Sequence, residues 1–221
     1  MAQTNDAQIL AQILKNKTPE QEKVIRYFRQ AKKGCFGKLM TDEEYDKMIA
    51  DYLAKNNNFK DKAISKIGLD ESEITLINPV CIQGFRFISD EKNYARRGTD
   101  GKWRSSAYQV SWLFFSETQV YFYQYTFNFD ENGKKESSEE YFYKDIVNFA
   151  STEESVEKNY WVEEGCIKKV PVRKTDTVNT FALKIVVPGD SLFCSASVND
   201  DSFETSVKGM KNLLREKKNN G

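Results

Sequence analysis

The sequence contains no histidine, and that absence sets the chemistry open to it. A serine or cysteine nucleophile has no imidazole to take its proton, and imidazole-ligated catalytic zinc is excluded for the same reason. Carboxylate chemistry remains. Asp42-Glu43-Glu44, Glu139-Glu140, Glu153-Glu154 and Glu163-Glu164 are runs of acids. Each falls at a helix start or in an expected loop, where solvated surface carboxylates are the rule. Cys35, Cys81, Cys166 and Cys194 are scattered with no Cys-x-x-Cys pair, so buried free thiols are expected rather than a zinc knuckle, a redox motif or a disulfide framework. Gly34-Cys35-Phe36-Gly37-Lys38 lacks the spacer of a phosphate loop. No cofactor, no metal and no catalytic group is expected.

One charged cluster stands out. Lys92, Arg96, Arg97, Lys102 and Arg104 surround Thr99-Asp100-Gly101, a turn between two expected strands. A compact turn would bring Arg96, Arg97, Lys102 and Arg104 near enough for two of them to share one phosphate. Asp90, Glu91 and Asp100 dilute the charge. These five basic residues form the candidate anion site.

The elements that must position them divide the chain near Gly68. Residues 1–68 read as helical. Ile9, Leu10, Ile13 and Leu14 make a short apolar face. Thr18-Pro19 with Gln21, and Thr41 with Glu44, are capping boxes that start two further helices. The first of these carries Val24, Ile25, Phe28 and Ala31 and is expected to stop at Gly34; the second carries Tyr45, Met48, Ile49, Tyr52 and Leu53. Ala63, Ile64 and Ile67 mark a last short helix.

Residues 69–221 read as strands closed by one helix. Val80–Ile88 and Ala107–Phe115 are rich in β-branched and aromatic residues. Val120–Phe129 puts Tyr121, Tyr123, Tyr125, Phe127 and Phe129 on one face and Val120 and Phe122 on the other. Asn132-Gly133 should turn this strand back onto Glu140–Phe149. Further strands are expected around Tyr160–Val172, Thr180–Val187 and Leu192–Val198. Phe203, Val207, Met210 and Leu214 form the stripe of the closing helix, with an Asp201–Glu204 cap, and close packing on the sheet is expected to account for Gly209. With its own aromatic core and closing helix, 69–221 is expected to fold alone.

About seven strands followed by an amphipathic helix is the order of the pleckstrin-homology superfold. The stretches Trp103-Arg104-Ser105-Ser106-Ala107-Tyr108-Gln109-Val110-Ser111-Trp112-Leu113-Phe114-Phe115-Ser116 and Glu140-Tyr141-Phe142-Tyr143-Lys144-Asp145-Ile146 resemble an uncharacterised Gram-positive bacterial family with a pleckstrin-homology-like domain. Gly37-Lys38-Leu39-Met40-Thr41-Asp42-Glu43-Glu44-Tyr45 is similar to the helical SHOCT module, with an extra Met40 in the motif. The resemblance implies an α+β chain in which a helical segment precedes a pleckstrin-homology-like antiparallel β-barrel or sandwich. It also implies that the basic turn could receive anionic lipid headgroups. It brings no activity and no catalytic residues.

Charge and hydropathy bound the partners. Lys plus Arg and Asp plus Glu number 33 each, so the whole chain has no bias toward nucleic acid or anionic membrane. The aromatic run Tyr121–Phe129 has only Lys134 and Lys135 nearby, so cross-strand packing is expected of it rather than base stacking. No apolar run approaches the ~18 residues of a membrane span, and Met1–Asp6 has no secretory pattern, so a cytoplasmic protein is expected. The expected function is a non-enzymatic interaction or scaffolding module whose partner is a protein or a second copy of the chain. The alternative is an anion- or lipid-headgroup-binding module in peripheral contact with a membrane.

Overall fold

The computed structural model describes residues 2–34, 37–70, 72, 78–87, 93–165, 170–196 and 201–219. Helix α1 spans Ala2–Leu14 and α2 spans Pro19–Arg29. The Thr18 capping box forms as its residues require: Thr18 Oγ1 accepts from the Gln21 N–H at 3.2 Å, and the Gln21 side chain accepts from the Thr18 N–H at 3.0 Å. The end of α2 differs from the expected stop at Gly34. Gln30 takes a left-handed conformation with φ of 52°, and its side-chain amide donates to the Tyr27 carbonyl at 2.6 Å. The chain leaves the helix there, and Ala31 lies outside it.

Helix α3, Asp42–Lys55, begins with the Thr41–Glu44 capping box, and α4, Phe59–Ile67, ends at a left-handed Gly68 with φ of 79°. The strands are β1 Val80–Phe85, β2 Ala95–Arg97, β3 Trp103–Ser105, β4 Ala107–Phe115, β5 Gln119–Asn128, β6 Lys134–Phe142, β7 Asn148–Glu164, β8 Val170–Val187 and β9 Asp190–Ala196. Helix α5, Asp201–Asn219, follows.

All strand pairs are antiparallel, in sheets ordered β1-β4-β5-β6, β2-β3 and β7-β8-β9. The result is an α+β chain with helices at its N-terminal side, antiparallel sheets at its centre and a C-terminal helix. Among the described residues there is no closed barrel, because β6 pairs only with β5 and β7 only with β8. The Asn132-Gly133 turn leads directly into β6 at Lys134. Glu140–Phe149, the expected return strand, is divided between the end of β6, a 3-10 turn at Tyr143–Asp145 and the start of β7. The sequence also hid the longest feature. β7 and β8 pair from Asn148↔Val186 to Glu164↔Val170, and β9 joins β8 only over Phe181–Val187. Beyond Phe181 the hairpin continues as a two-stranded arm.

The central strands of the four-stranded sheet, β4 and β5, are buried on both faces. Leu113, Phe115, Val120 and Phe122 face the second sheet and α5, with Ile146, Leu183, Ile185, Val207, Met210 and Leu214 in the same cluster. Tyr108, Val110, Phe114, Tyr121, Tyr123 and Phe127 face the opposite way and meet Val24, Tyr27, Phe28, Tyr45, Ile49, Phe59 and Ala63 from the helices. One core therefore crosses the sequence boundary at Gly68. The aromatic face of β5 is packed against helices, as cross-strand periodicity suggested, and is not an open platform.

Two variants of α5 test this packing. Leu214→Ala should cost about 2–5 kcal/mol in urea denaturation, as for other truncated buried leucines. Gly209 is a different case, because a Cβ added there meets nothing within 4 Å. Close packing does not account for the glycine, so Gly209→Ala should stabilise the chain by about 0.5–1 kcal/mol. Among the described residues no helix is long and apolar enough to cross a membrane.

Candidate functional site

Of the basic residues singled out from the sequence, the described ones face different partners. Lys92 lies outside the described residues. In the β2–β3 hairpin Arg96 stands opposite Arg104, and Arg97 opposite Trp103. Side chains alternate along a strand, so Arg96 and Arg104 share one face while Arg97 takes the other. The first face meets the helices. Arg104 is buried and makes two-pronged contacts to two carboxylates: to Asp46 at 2.7 and 2.6 Å, and to Asp100 at 3.0 and 3.0 Å. Arg96 lies over the Tyr27 ring at 4.3 Å, donates to the Tyr27 carbonyl at 2.9 Å and has Nε 3.2 Å from Asp42 Oδ1.

Asp42 is the hub of this contact. Its carboxylate accepts from the Tyr27 hydroxyl at 2.8 Å, the Thr99 N–H at 2.9 Å and the Thr99 hydroxyl at 3.2 Å. Burial alone would raise its pKa. The Thr99 N–H, the Tyr27 hydroxyl, Arg96 and Arg104 outweigh that and hold it below the ordinary value. Arg96 and Arg104 are thus clamps that fasten α3 to the hairpin. Arg97 points toward the arm with Nη1 3.7 Å from Asp176 Oδ2, and Lys102 is exposed.

A second polar cluster, which the sequence reading passed over, lies where the α1–α2 connection, the approach to β2, the turn after β5 and the arm meet. It surrounds a cavity of ≈ 340 Å³. The α1–α2 connection contributes Lys17, the approach to β2 Asn93 and Tyr94, the turn after β5 Asp130 and Glu131, β7 Lys158, Asn159 and Trp161, and β8 Arg173. Asn93 is fixed by its amide nitrogen, which donates to the Arg86 carbonyl at 2.7 Å and to Ser105 Oγ. Its amide oxygen then faces Lys158, whose Nζ donates to it at 3.1 Å. Lys158 is only 3% exposed, a rare state for an ammonium group.

Trp161 forms a wall. The Arg29 and Arg173 guanidiniums lie 4.7 and 5.7 Å from its ring centroid, and the Tyr94 ring meets it at 6.3 Å. Asp130 is 7% exposed. The Ser106 hydroxyl, itself accepting from the Tyr94 N–H at 2.9 Å, hydrogen-bonds the Asp130 carboxyl, while Asp130 Oδ1 has no hydrogen-bond partner. Burial pushes this carboxyl above its ordinary pKa against the opposing Ser106 bond.

No sequence signal marked this cluster. Asp130 sits in an Asp-Glu-Asn-Gly turn and Lys158 in a charged stretch, where solvated side chains are the ordinary outcome. Comparison of the chain with family models, with curated proteins and with solved structures finds no match. Among the described residues no group of three or more acidic or thiol side chains is placed to hold a metal ion. Cys194 is fully buried between the sheets, and burial pushes its thiol up to about 12. The cavity is lined by side chains of both charge signs.

The raised Asp130 pKa has a testable consequence. The folded chain binds this proton more tightly than the unfolded chain, so Asp130 costs stability as pH rises through the folded value and the cost persists at neutral pH. Asp130→Asn should therefore raise stability at pH 7 by on the order of 1 kcal/mol. The gain should shrink as pH falls toward 4. Urea denaturation of both forms across that range reads the difference.

Proposed function

We propose that this chain is a non-enzymatic binding module in which the α1–α2 connection, the approach to β2, the turn after β5 and the arm assemble around the junction cavity to recognise a small polar ligand. The observation that carries the reading is a cavity lined by both signs of charge, Asp130 and Glu131 with Lys17, Lys158 and Arg173, beside which Asp130 Oδ1 is buried without a hydrogen-bond partner. Leaving one buried polar atom unsatisfied costs about 1–3 kcal/mol, and native structures rarely tolerate it without a use. A group that lowers stability on its own and lines a cavity is suited to recognition. The lack of histidine and the high pKa of the Cys194 thiol support a binding role over catalysis.

The strand order supports a finer reading of the fold. A four-stranded antiparallel sheet, a three-stranded one and a closing helix follow in the pleckstrin-homology order, with β2–β3 inserted after β1. In this reading the helical segment is an added layer on the outer face of the first sheet. A protein partner is the second function reading, and β6 favours it. This strand, Lys134–Phe142, is an edge of its sheet, where a partner strand could add. Lys134, Lys135, Glu136, Glu139 and Glu140 guard that edge against unspecific pairing.

A thermal-shift panel of amino acids, sugars, nucleotides and inorganic phosphate on the full chain tests the cavity reading. At a concentration 100 times Kd a ligand stabilises by about 2.7 kcal/mol, which is several degrees of Tm in a chain of this size. At least one class should raise Tm, and Lys158→Met should abolish the shift. No shift with any class would contradict the proposal.

A further inference from the structure

Resting on the reading of β6 as a docking edge, and independent of the cavity, we infer that the strand added to that edge is β6 of a second copy of this chain. The two strands run antiparallel about a two-fold axis at Ser137 and join two four-stranded sheets into one. The backbone sets the first condition. The Asn128 N–H donates to the Gly133 carbonyl at 3.1 Å and the Tyr143 N–H to the Thr118 carbonyl at 3.2 Å, so the odd-numbered residues of β6 turn their peptide groups toward β5. Lys134, Glu136, Ser138 and Glu140 present theirs to the free edge, and all four residues are exposed. A two-fold pairing through those groups must be centred on a residue rather than between two.

Charge then chooses the residue. Opposite charges facing each other across antiparallel strands attract, and like charges repel. The run Lys134-Lys135-Glu136-Ser137-Ser138-Glu139-Glu140 complements its own reverse about Ser137. Lys134 falls opposite the partner's Glu140 and Lys135 opposite the partner's Glu139, and symmetry repeats both pairs. Every neighbouring centre fails. Centring on Lys135, Glu136 or Glu139 sets that residue against its own copy, and centring on Ser138 sets Glu136 against the partner's Glu140. The charges that pair across the axis are also the ones without a counter-ion in the chain. Among the described residues Lys134 and Lys135 make no ion pair, while Glu139 accepts from the Tyr141 hydroxyl and Glu140 from the Gln119 amide at 3.2 Å, both neutral donors. Glu136 is held within the chain by Lys66 at 3.6 Å and the Tyr123 hydroxyl at 3.0 Å, and it falls opposite a neutral residue, the partner's Ser138. With 33 acidic and 33 basic residues the copies carry no net charge to hold them apart. A strand from another protein would need this same reversed charge order, which a second copy supplies by symmetry.

A strand pair of this length is a small interface, so the dimer should be weak and concentration-dependent. Sedimentation equilibrium of the full chain over about a hundredfold range of concentration should show a reversible monomer–dimer equilibrium. Two double variants at these surface positions, Lys134→Glu with Lys135→Glu and Glu139→Lys with Glu140→Lys, set like charges opposite each other. Each should melt cooperatively and self-associate about tenfold or more weakly than wild type. An equimolar mixture of the two restores every opposite pair and should dimerise as wild type does. A chain monomeric at every concentration overturns the inference and leaves the docking edge to a strand of another protein. A dimer that neither variant weakens overturns both, because the contact between copies then lies away from β6. Loss in both variants without recovery on mixing overturns the pairing about Ser137.

Discussion

A chain beginning at Leu69 will lose the cooperative fold. The face of the four-stranded sheet carrying Tyr108, Val110, Phe114, Tyr121, Tyr123 and Phe127 is covered by Val24, Tyr27, Phe28, Tyr45, Ile49, Phe59 and Ala63. Deleting 1–68 would expose that face to water. Each large apolar side chain returned to water forfeits roughly 1.5–3 kcal/mol, against a total stability of ~5–15 kcal/mol for a whole domain. The clamp partners go as well, leaving Arg104 without Asp46 and Arg96 without Asp42. The shortened chain should be insoluble, or should bind a hydrophobic dye with no sharp thermal transition. A soluble fragment with a cooperative melt and native near-ultraviolet dichroism would show that the sheet needs no helical cover. That is what the sequence alone suggested.

Asp42→Ala carries the largest effect expected of a single substitution, about 3–5 kcal/mol of stability, because removing one member of a buried charge network strands the others. The Tyr27 hydroxyl, the Thr99 N–H and Arg96 would lose their shared acceptor at once. The pH profile gives an independent check. Asp42 is held below its ordinary value of 3.8, so its contribution is present above that pH and is lost as pH falls through the folded value. Urea denaturation should show wild type losing stability in acid more steeply than Asp42→Ala. A loss below about 1 kcal/mol at neutral pH, with parallel acid profiles, would mean that the network adds nothing beyond solvated charges.

The features legible in the sequence were those encoded locally. Both capping boxes formed because Thr18 with Gln21, and Thr41 with Glu44, satisfy each other's backbone within one turn. The division of β5 into two faces followed from strict alternation of Tyr121, Tyr123 and Phe127 against Val120 and Phe122. The arm was hidden because Ser151–Asn159 is mostly polar and contacts water along much of its length, so no period-two pattern shows. The partners of the basic turn were hidden for another reason. Local spacing brings Arg96 and Arg104 together and offers Asp100 to Arg104, but the other carboxylates that neutralise them, Asp42 and Asp46, come from a helix far away in sequence. Nothing in one sequence pairs distant opposite charges. The cavity was invisible on the same grounds, since Asn93, Asp130 and Lys158 meet only through tertiary packing.

Nuclear magnetic resonance of the ¹⁵N-labelled full chain, titrated with the small-molecule panel, tests the binding-site claim most directly because it locates the contact. The account predicts that a binding ligand shifts the Trp161 indole N–H and the backbone amides of Asn93, Asp130 and Asn159. Lys102 in the basic turn and the β6 edge from Lys134 to Phe142 should stay still. Shifts confined to the basic turn or to β6, or no shifts at any ligand concentration, would contradict it.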